Sequence, residues 1–248
     1  MNQFIAPHLT DVICLLVSAG LFTFYHFFLR SKQKTDPAYS LYSATMLART
    51  AWVVNVMEEK NDILAVQTLR NSTMAATFLA STAVLLAVGL LTLSGQADKL
   101  GQTWHALNLF GSRAESTLTL KLLVILGNLF IAFFNFSFAI RLFNHVGFLI
   151  NTPPEEGSYG ASITFVAIQL NKAGAYFHMG MRAYYFLVPL IFWLFSPVFM
   201  VLATVTLVIL VWRIEKTPKL DCSYLGAIYK NSCPLPQEQA RGRRPASG

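Results

Sequence analysis

The segment ILAVQTLRNSTMAATFLASTAVLLAVGLLTL, Ile63–Leu93, decides how this chain is read. It begins as a polar, soluble-looking helix and turns into an apolar run. No Gly or Pro separates the two halves. A bilayer core of about 30 Å is crossed by a helix of roughly 20 apolar residues, and the part from Ser72 to Leu93 is long enough. One helix is therefore expected to pass from water into lipid at Arg70-Asn71.

The rest of the composition agrees. The chain has 248 residues, 54% hydrophobic and only 12% charged, with a mean hydropathy of +0.50. A soluble domain carries about twice that charged fraction. The formal charge of +7 is spread over loops and a tail rather than gathered in one basic arm, so no nucleic-acid partner is expected. The opening residues MNQFIAPHLTD lack the Lys or Arg of a signal-peptide n-region, so the first apolar run is read as a retained span.

Four apolar runs reach spanning length: about Leu9–Leu29, Ser72–Leu93, Leu118–Phe143 and Tyr184–Trp212. Pro189 and Pro197 interrupt the last and are expected to kink it, because each removes a backbone donor. The expectation is an all-α integral membrane four-helix bundle over residues 1–215, with amphipathic interface helices in the first and third connections. Residues 216–248 are expected to form a polar, disordered tail.

Orientation follows from the basic residues. The first connection carries six Lys and Arg, the second three, the third three and the tail seven. With the first and third connections on one side, nine stand against ten, a tie. Discounting the distal Arg241, Arg243 and Arg244 leaves nine against seven. The first span has no basic residue before it and Arg30, Lys32 and Lys34 just after. The positive-inside rule then favours both termini outside. Cys222 and Cys233 would pair in an oxidising compartment or remain two tail thiols, and both alternatives stay open. Cys14 lies in the first span and reads as a small packing residue.

This topology gathers four helix ends on the cytoplasmic face, with Arg30, Arg70, Arg141 and Arg182 at one boundary each. The positive-inside rule, the aromatic belt and snorkelling arginines account for much of that. Two features go further. Gln67, Arg70 and Asn71 share one helical face at i, i+3, i+4, and Asn144 and His145 follow Arg141 at the same spacing. Amides and an imidazole are the partners an arginine needs for shaped recognition of carboxylate or phosphate.

The connections carry structure of their own. The first reads as two helices broken near Lys60-Asn61-Asp62, with Asp62 as N-cap of the second. The third opens with the Pro/Gly loop NTPPEEGSYG and continues as an apolar stretch over 161–183. That stretch reads as an interface helix, a re-entrant segment or a short extra span. Ser72, Ala76, Ala80, Ala83 and Ala87 form a small-residue stripe that lets another helix approach. Lys121, Asn128 and Asn135 recur every seven residues on the third span, as interhelical hydrogen bonds or as the wall of a polar path.

RTAWVVNVMEEKNDILAVQTLRNSTMAATFLAST, IRLFNHVGFLI and GMRAYYFLVPLIFWLFSP resemble signature segments of the domain-of-unknown-function family numbered five-nine-nine. The resemblance runs from about Thr10 to Arg213. It implies a four-span membrane protein of the kind found in bacteria and plants, and hence a bacterial inner membrane. It also implies that Arg49, Trp52, Gln67, Arg70, Asn71, Arg141, Asn144, His145, Arg182 and Tyr184 fall on family motif positions. It implies no activity.

Enzyme signatures are missing: there is no HExxH, CxxC pair, P-loop or GxGxxG. The chain is not read as an enzyme and no cofactor is expected. His26 and His145, two of the five histidines, share a face, which leaves a haem or metal between them as an option. The leading expectation is an anion or lipid-headgroup site made of Arg49, Gln67, Arg70, Asn71, Arg141, Asn144, His145, Arg182 and Tyr184. Membrane lipids, a second copy or a larger membrane complex are the expected partners. A structural subunit and a small oligomeric transporter are the rival readings.

Overall fold

The computed structural model describes residues 2–35, 40–59, 62–95, 115–152 and 162–215. The tail cysteines Cys222 and Cys233, the tail itself and most of the NTPPEEGSYG loop lie outside them. Among the described residues the fold is all-α, with six helices: α1 (Asn2–Thr35), α2 (Leu41–Glu59), α3 (Asp62–Ser94), α4 (Glu115–Leu149), α5 (Ile163–Phe195) and α6 (Pro197–Glu215). Four segments, Asp11–Leu29, Ile63–Ser94, Thr117–Leu149 and Pro197–Glu215, are long and apolar enough to cross a membrane.

The first connection folds as its pattern suggests. Ser40 caps α2, its Oγ accepting the Ser43 N–H at 3.2 Å. The α2 helix stops at Glu59 and α3 begins at Asp62. From there α3 runs unbroken for 33 residues, so polar and apolar halves of Ile63–Leu93 are one helix.

The stretch expected to be one kinked span, Tyr184–Trp212, is two helices that break at Ser196. Proline at position 197 has no N–H to offer the Trp193 carbonyl, and its fixed φ suits the first position of a new helix. Lys121 supplies the missing donor, its Nζ lying 3.1 Å from the Trp193 oxygen. Ser196 closes the corner by donating its N–H to Phe192 and accepting the Val198 N–H on its Oγ. Pro189, by contrast, is carried inside α5. Residues 163–183 are therefore no separate interface helix; they are the first part of α5 itself.

The α5–α6 pair is a hairpin. Arg182 on α5 meets Glu215, the last residue of α6, at 3.0 Å. The α4 and α5 helices are also antiparallel, tied by Asn128 Nδ2 to the Ala183 carbonyl at 2.9 Å. Farther along, Gly180 lies against the Phe136 ring, where an added Cβ would come within 2.7 Å of it. The α1 helix runs parallel to α6: Asp11 sits beside Lys121 and Trp193, while Tyr25 and Leu29 pack near Glu215 and Val211. Asp11 and Glu215 thus lie at opposite ends of the bundle.

Helix lengths set the architecture. The 19 residues of α6 span about 28 Å, whereas the 33, 35 and 33 residues of α3, α4 and α5 each span about 50 Å. The excess overhangs at the Glu215 end. There α2 covers it, burying Val53 and Val56 against Leu69, Val146 and Val166. Within the bundle, the stripe of Ala76, Ala80, Ala83 and Ala87 is buried as its spacing requires, and Ala80 packs with Ala132 and Phe136 of α4. The seven-residue series on α4 divides its work. Asn128 bonds across to α5, Asn135 bonds back to Ile131 of its own helix, and Lys121 enters an ion pair.

That pair is deeply buried at the far end. Lys121 and Asp11 are 3.2 Å apart with side chains 1% and 3% exposed, and the Trp193 indole N–H donates to Asp11 at 3.1 Å. Removing one partner of a buried pair costs about 3–5 kcal/mol, because the other charge is stranded. Lys121→Ala is expected to lower the thermal unfolding midpoint in detergent by an amount equivalent to that cost. The double variant Asp11→Asn/Lys121→Met is expected to lose about half as much or less, a comparison that one melting series makes.

Candidate functional site

The Glu215 end holds a cavity of about 960 Å³ between α2, α3, α4, α5 and α6. Each helix contributes one face. On α2 the positions 42, 45, 49 and 52 recur at steps of three and four, so Tyr42, Thr45, Arg49 and Trp52 all look inward. On α5, Gly174 and His178 line the wall, and Arg182 continues the column one turn on. Phe143, Leu170, Phe177 and Met181 make most of the remaining surface apolar.

The floor is a buried carboxylate. Glu215 Oε1 accepts from Arg182 Nη2 at 3.0 Å and lies 3.6 Å from His178 Nε2. Its Oε2 accepts the Tyr25 hydroxyl at 3.0 Å. The His178 ring lies 4.9 Å, centroid to centroid, from that of Tyr42. This chain of contacts ties α1, α2, α5 and α6 together at one level.

Arg49 stands apart from that network. Its guanidinium lies on Gly174, where any Cβ would overlap Nη1. The Nη1 atom is buried and has no hydrogen-bond partner. Burial lowers the Arg49 pKa, with the nearby Tyr42 pulling the other way. One turn before Gly174, Asn171 pins α2 in place by donating to Thr50 Oγ1 at 2.8 Å, leaving its own Oδ1 unpaired. A buried donor without an acceptor costs free energy, and this one opens into a cavity. An oxygen acceptor, above all an anionic one, would satisfy it.

The residues expected to form the site do not all converge. Arg49 and Asn71 line the cavity, and Arg182 holds its floor. Gln67, Arg70, Arg141, Asn144 and His145 are exposed on the outer faces of α3 and α4. The inward positions of those helices are taken by Leu69 and Ala76 on one and by Ala139, Phe143 and Val146 on the other. Tyr184 is a structural tie, its hydroxyl donating to the Leu79 carbonyl. The side chains of His26 and Arg30 lie outside the described residues, so the haem option is not reached. No group of His, Cys, Asp and Glu able to hold a metal occurs among the described residues.

The expected site included none of Tyr25, Tyr42, His178 and Glu215. Two signals were present. Gly174, His178 and Arg182 recur at steps of four in GAYFHMGMR, and Glu215 is a lone carboxylate closing an apolar run.

The family described as a protein of unknown function, DUF599, matches residues 13–219, which takes in all the helices around the cavity. No curated protein and no solved structure matches the chain. The three quoted signature segments and the helices from α2 to α6 fall inside the matched region, and the chain belongs to the DUF599 family.

Proposed function

We propose that this integral membrane protein binds an anionic amphiphile in the cavity at the Glu215 end. The observation that carries the reading is Arg49 Nη1, a buried donor without a partner on the wall of a mostly apolar chamber. An anion at that point would satisfy the guanidinium by a charge-assisted hydrogen bond. The apolar walls would take a hydrocarbon chain. The chamber is of the size in which small ligands are held.

Its depth supports a lipid-like ligand. The 28 Å or so of α6 matches the hydrocarbon thickness of a bilayer, about 30 Å. Glu215 would then sit at one interface and the cavity would open at headgroup level. Arg70 and Arg141 face outward at that level, where arginine stems reach lipid phosphate.

Five crossings, α1, α3, α4, α5 and α6, follow if α5 traverses the bilayer beside its antiparallel neighbours. That topology also breaks the charge tie. Only Lys99, Arg113 and Lys121 fall at the Asp11 end, against the other 16 of the 19 Lys and Arg. The positive-inside rule then favours a cytoplasmic cavity and a cytoplasmic tail, in a bacterial inner membrane or its equivalent.

Two outcomes are expected. Native mass spectrometry of the protein released from mild detergent should show a stoichiometric anionic adduct that Arg49→Gln loses. A bare wild-type chain would remove the reading. For the topology, a membrane-impermeant maleimide should label Ser112→Cys on intact cells but reach Cys222 and Cys233 only after lysis. Tail labelling on intact cells would instead restore four crossings.

A further inference from the structure

We infer that the ligand of this cavity carries one negative charge, shared by two oxygens as in a carboxylate or a phosphodiester, on at least one hydrocarbon chain. The inference rests on the binding reading above and narrows it by counting charge around the chamber.

The charged groups facing the chamber are few. On α2 there is Arg49; on α5 there are Arg182, at the floor, and His178, an imidazole that is neutral at about pH 8; on α6 there is Glu215. The contributions of α3 and α4, such as Asn71 and Phe143, are uncharged. Arg182 and Glu215 cancel each other at 3.0 Å, and the second oxygen of Glu215 is occupied by the Tyr25 hydroxyl. The carboxylate is therefore already engaged on both oxygens. Among the described residues that leaves the Arg49 guanidinium as one uncompensated cation, fixed on Gly174 with a bare Nη1.

A monoanion brings the chamber to neutrality. An uncharged amphiphile leaves the guanidinium stranded. A dianion, such as a phosphate monoester, adds a second negative charge in the same chamber as the Glu215 carboxylate, and like charges in a low dielectric repel strongly. Single-charge selection thus follows from the one spare cation. The same chemistry has two natural sources, a free fatty acid and the headgroup of a phosphodiester lipid.

The test is a binding series on the full-length protein in non-ionic detergent at about pH 8, where a phosphate monoester is close to doubly charged. The probes share a chain length: palmitate, 1-palmitoyl-lysophosphatidylglycerol, hexadecyl phosphate and hexadecanol. Palmitate, the lysolipid or both should bind at least about tenfold more tightly than hexadecanol and hexadecyl phosphate. The preferred monoanion identifies the source, and the mass of the co-purifying adduct checks it. Arg49→Gln should bring the monoanions down to the hexadecanol level, whereas Arg49→Lys, which keeps the charge, should retain a preference for them. Tighter binding of hexadecyl phosphate would overturn the single-charge inference while leaving the anion site standing. No binding by any probe, or monoanion binding unchanged in both Arg49 variants, would overturn both.

Discussion

The burial of one carboxylate organises this molecule. Glu215 ends an apolar helix of 19 residues, in a place where an unpaired charge would cost several kcal/mol. It is tolerated because Arg182 and Tyr25 reach it from α5 and α1. Satisfying it requires α6 to fold back along α5 and to lie beside α1. The same contacts fix the floor of the cavity. They also spend the local negative charge on Arg182, so that among the described residues Arg49 Nη1, one helix away, has no hydrogen-bond partner.

The two ends of the bundle treat polarity differently. At the Asp11 end every polar group in the central contact is satisfied: Lys121 bonds to Asp11 and to the Trp193 carbonyl, and the Trp193 indole closes the triangle. That end is a sealed joint between α1, α4 and α5. At the Glu215 end the helices overhang, α2 roofs the gap, and a donor is left open. The contrast is one of packing as much as of charge. Small residues on α3 bring α3 and α4 close through the middle of the bundle, whereas aromatic side chains such as Trp52, Phe143 and Phe177 hold the helices apart around the chamber.

Much of the fold was legible because it rests on periodicity and length. The continuity of α3, the break at Lys60-Asn61-Asp62 and the buried alanine stripe all follow from local pattern. The corner at Ser196–Pro197 did not, for a physical reason. A proline in an apolar run is compatible both with a kinked span and with a hairpin, and Pro189 and Pro197 fall on the two sides of that choice. What separates them is tertiary: whether some other helix can satisfy the carbonyl left bare. Lys121 does so for Trp193, and no window of sequence links positions 121 and 193. The site divides in the same way. Asn71 and Arg182 were readable as boundary polar residues and Arg49 entered through the family resemblance, but spacing alone assigns a shared face without saying which way it points. Gln67, Arg70, Arg141, Asn144 and His145 share faces that point away from the core.

The close approach of Arg49 to Gly174 also constrains how the family can change. The guanidinium occupies the space that a side chain at 174 would need. A larger residue at 174 would push the Arg49 guanidinium out of its place, so position 174 cannot gain a side chain without moving or losing that cation. In homologues the two should vary as a pair: glycine wherever 49 is arginine, and a larger residue only where 49 has become short. A lineage that crossed to the second state would have traded the cation on the chamber wall for a methyl group, making the chamber more apolar by two substitutions and no change of fold.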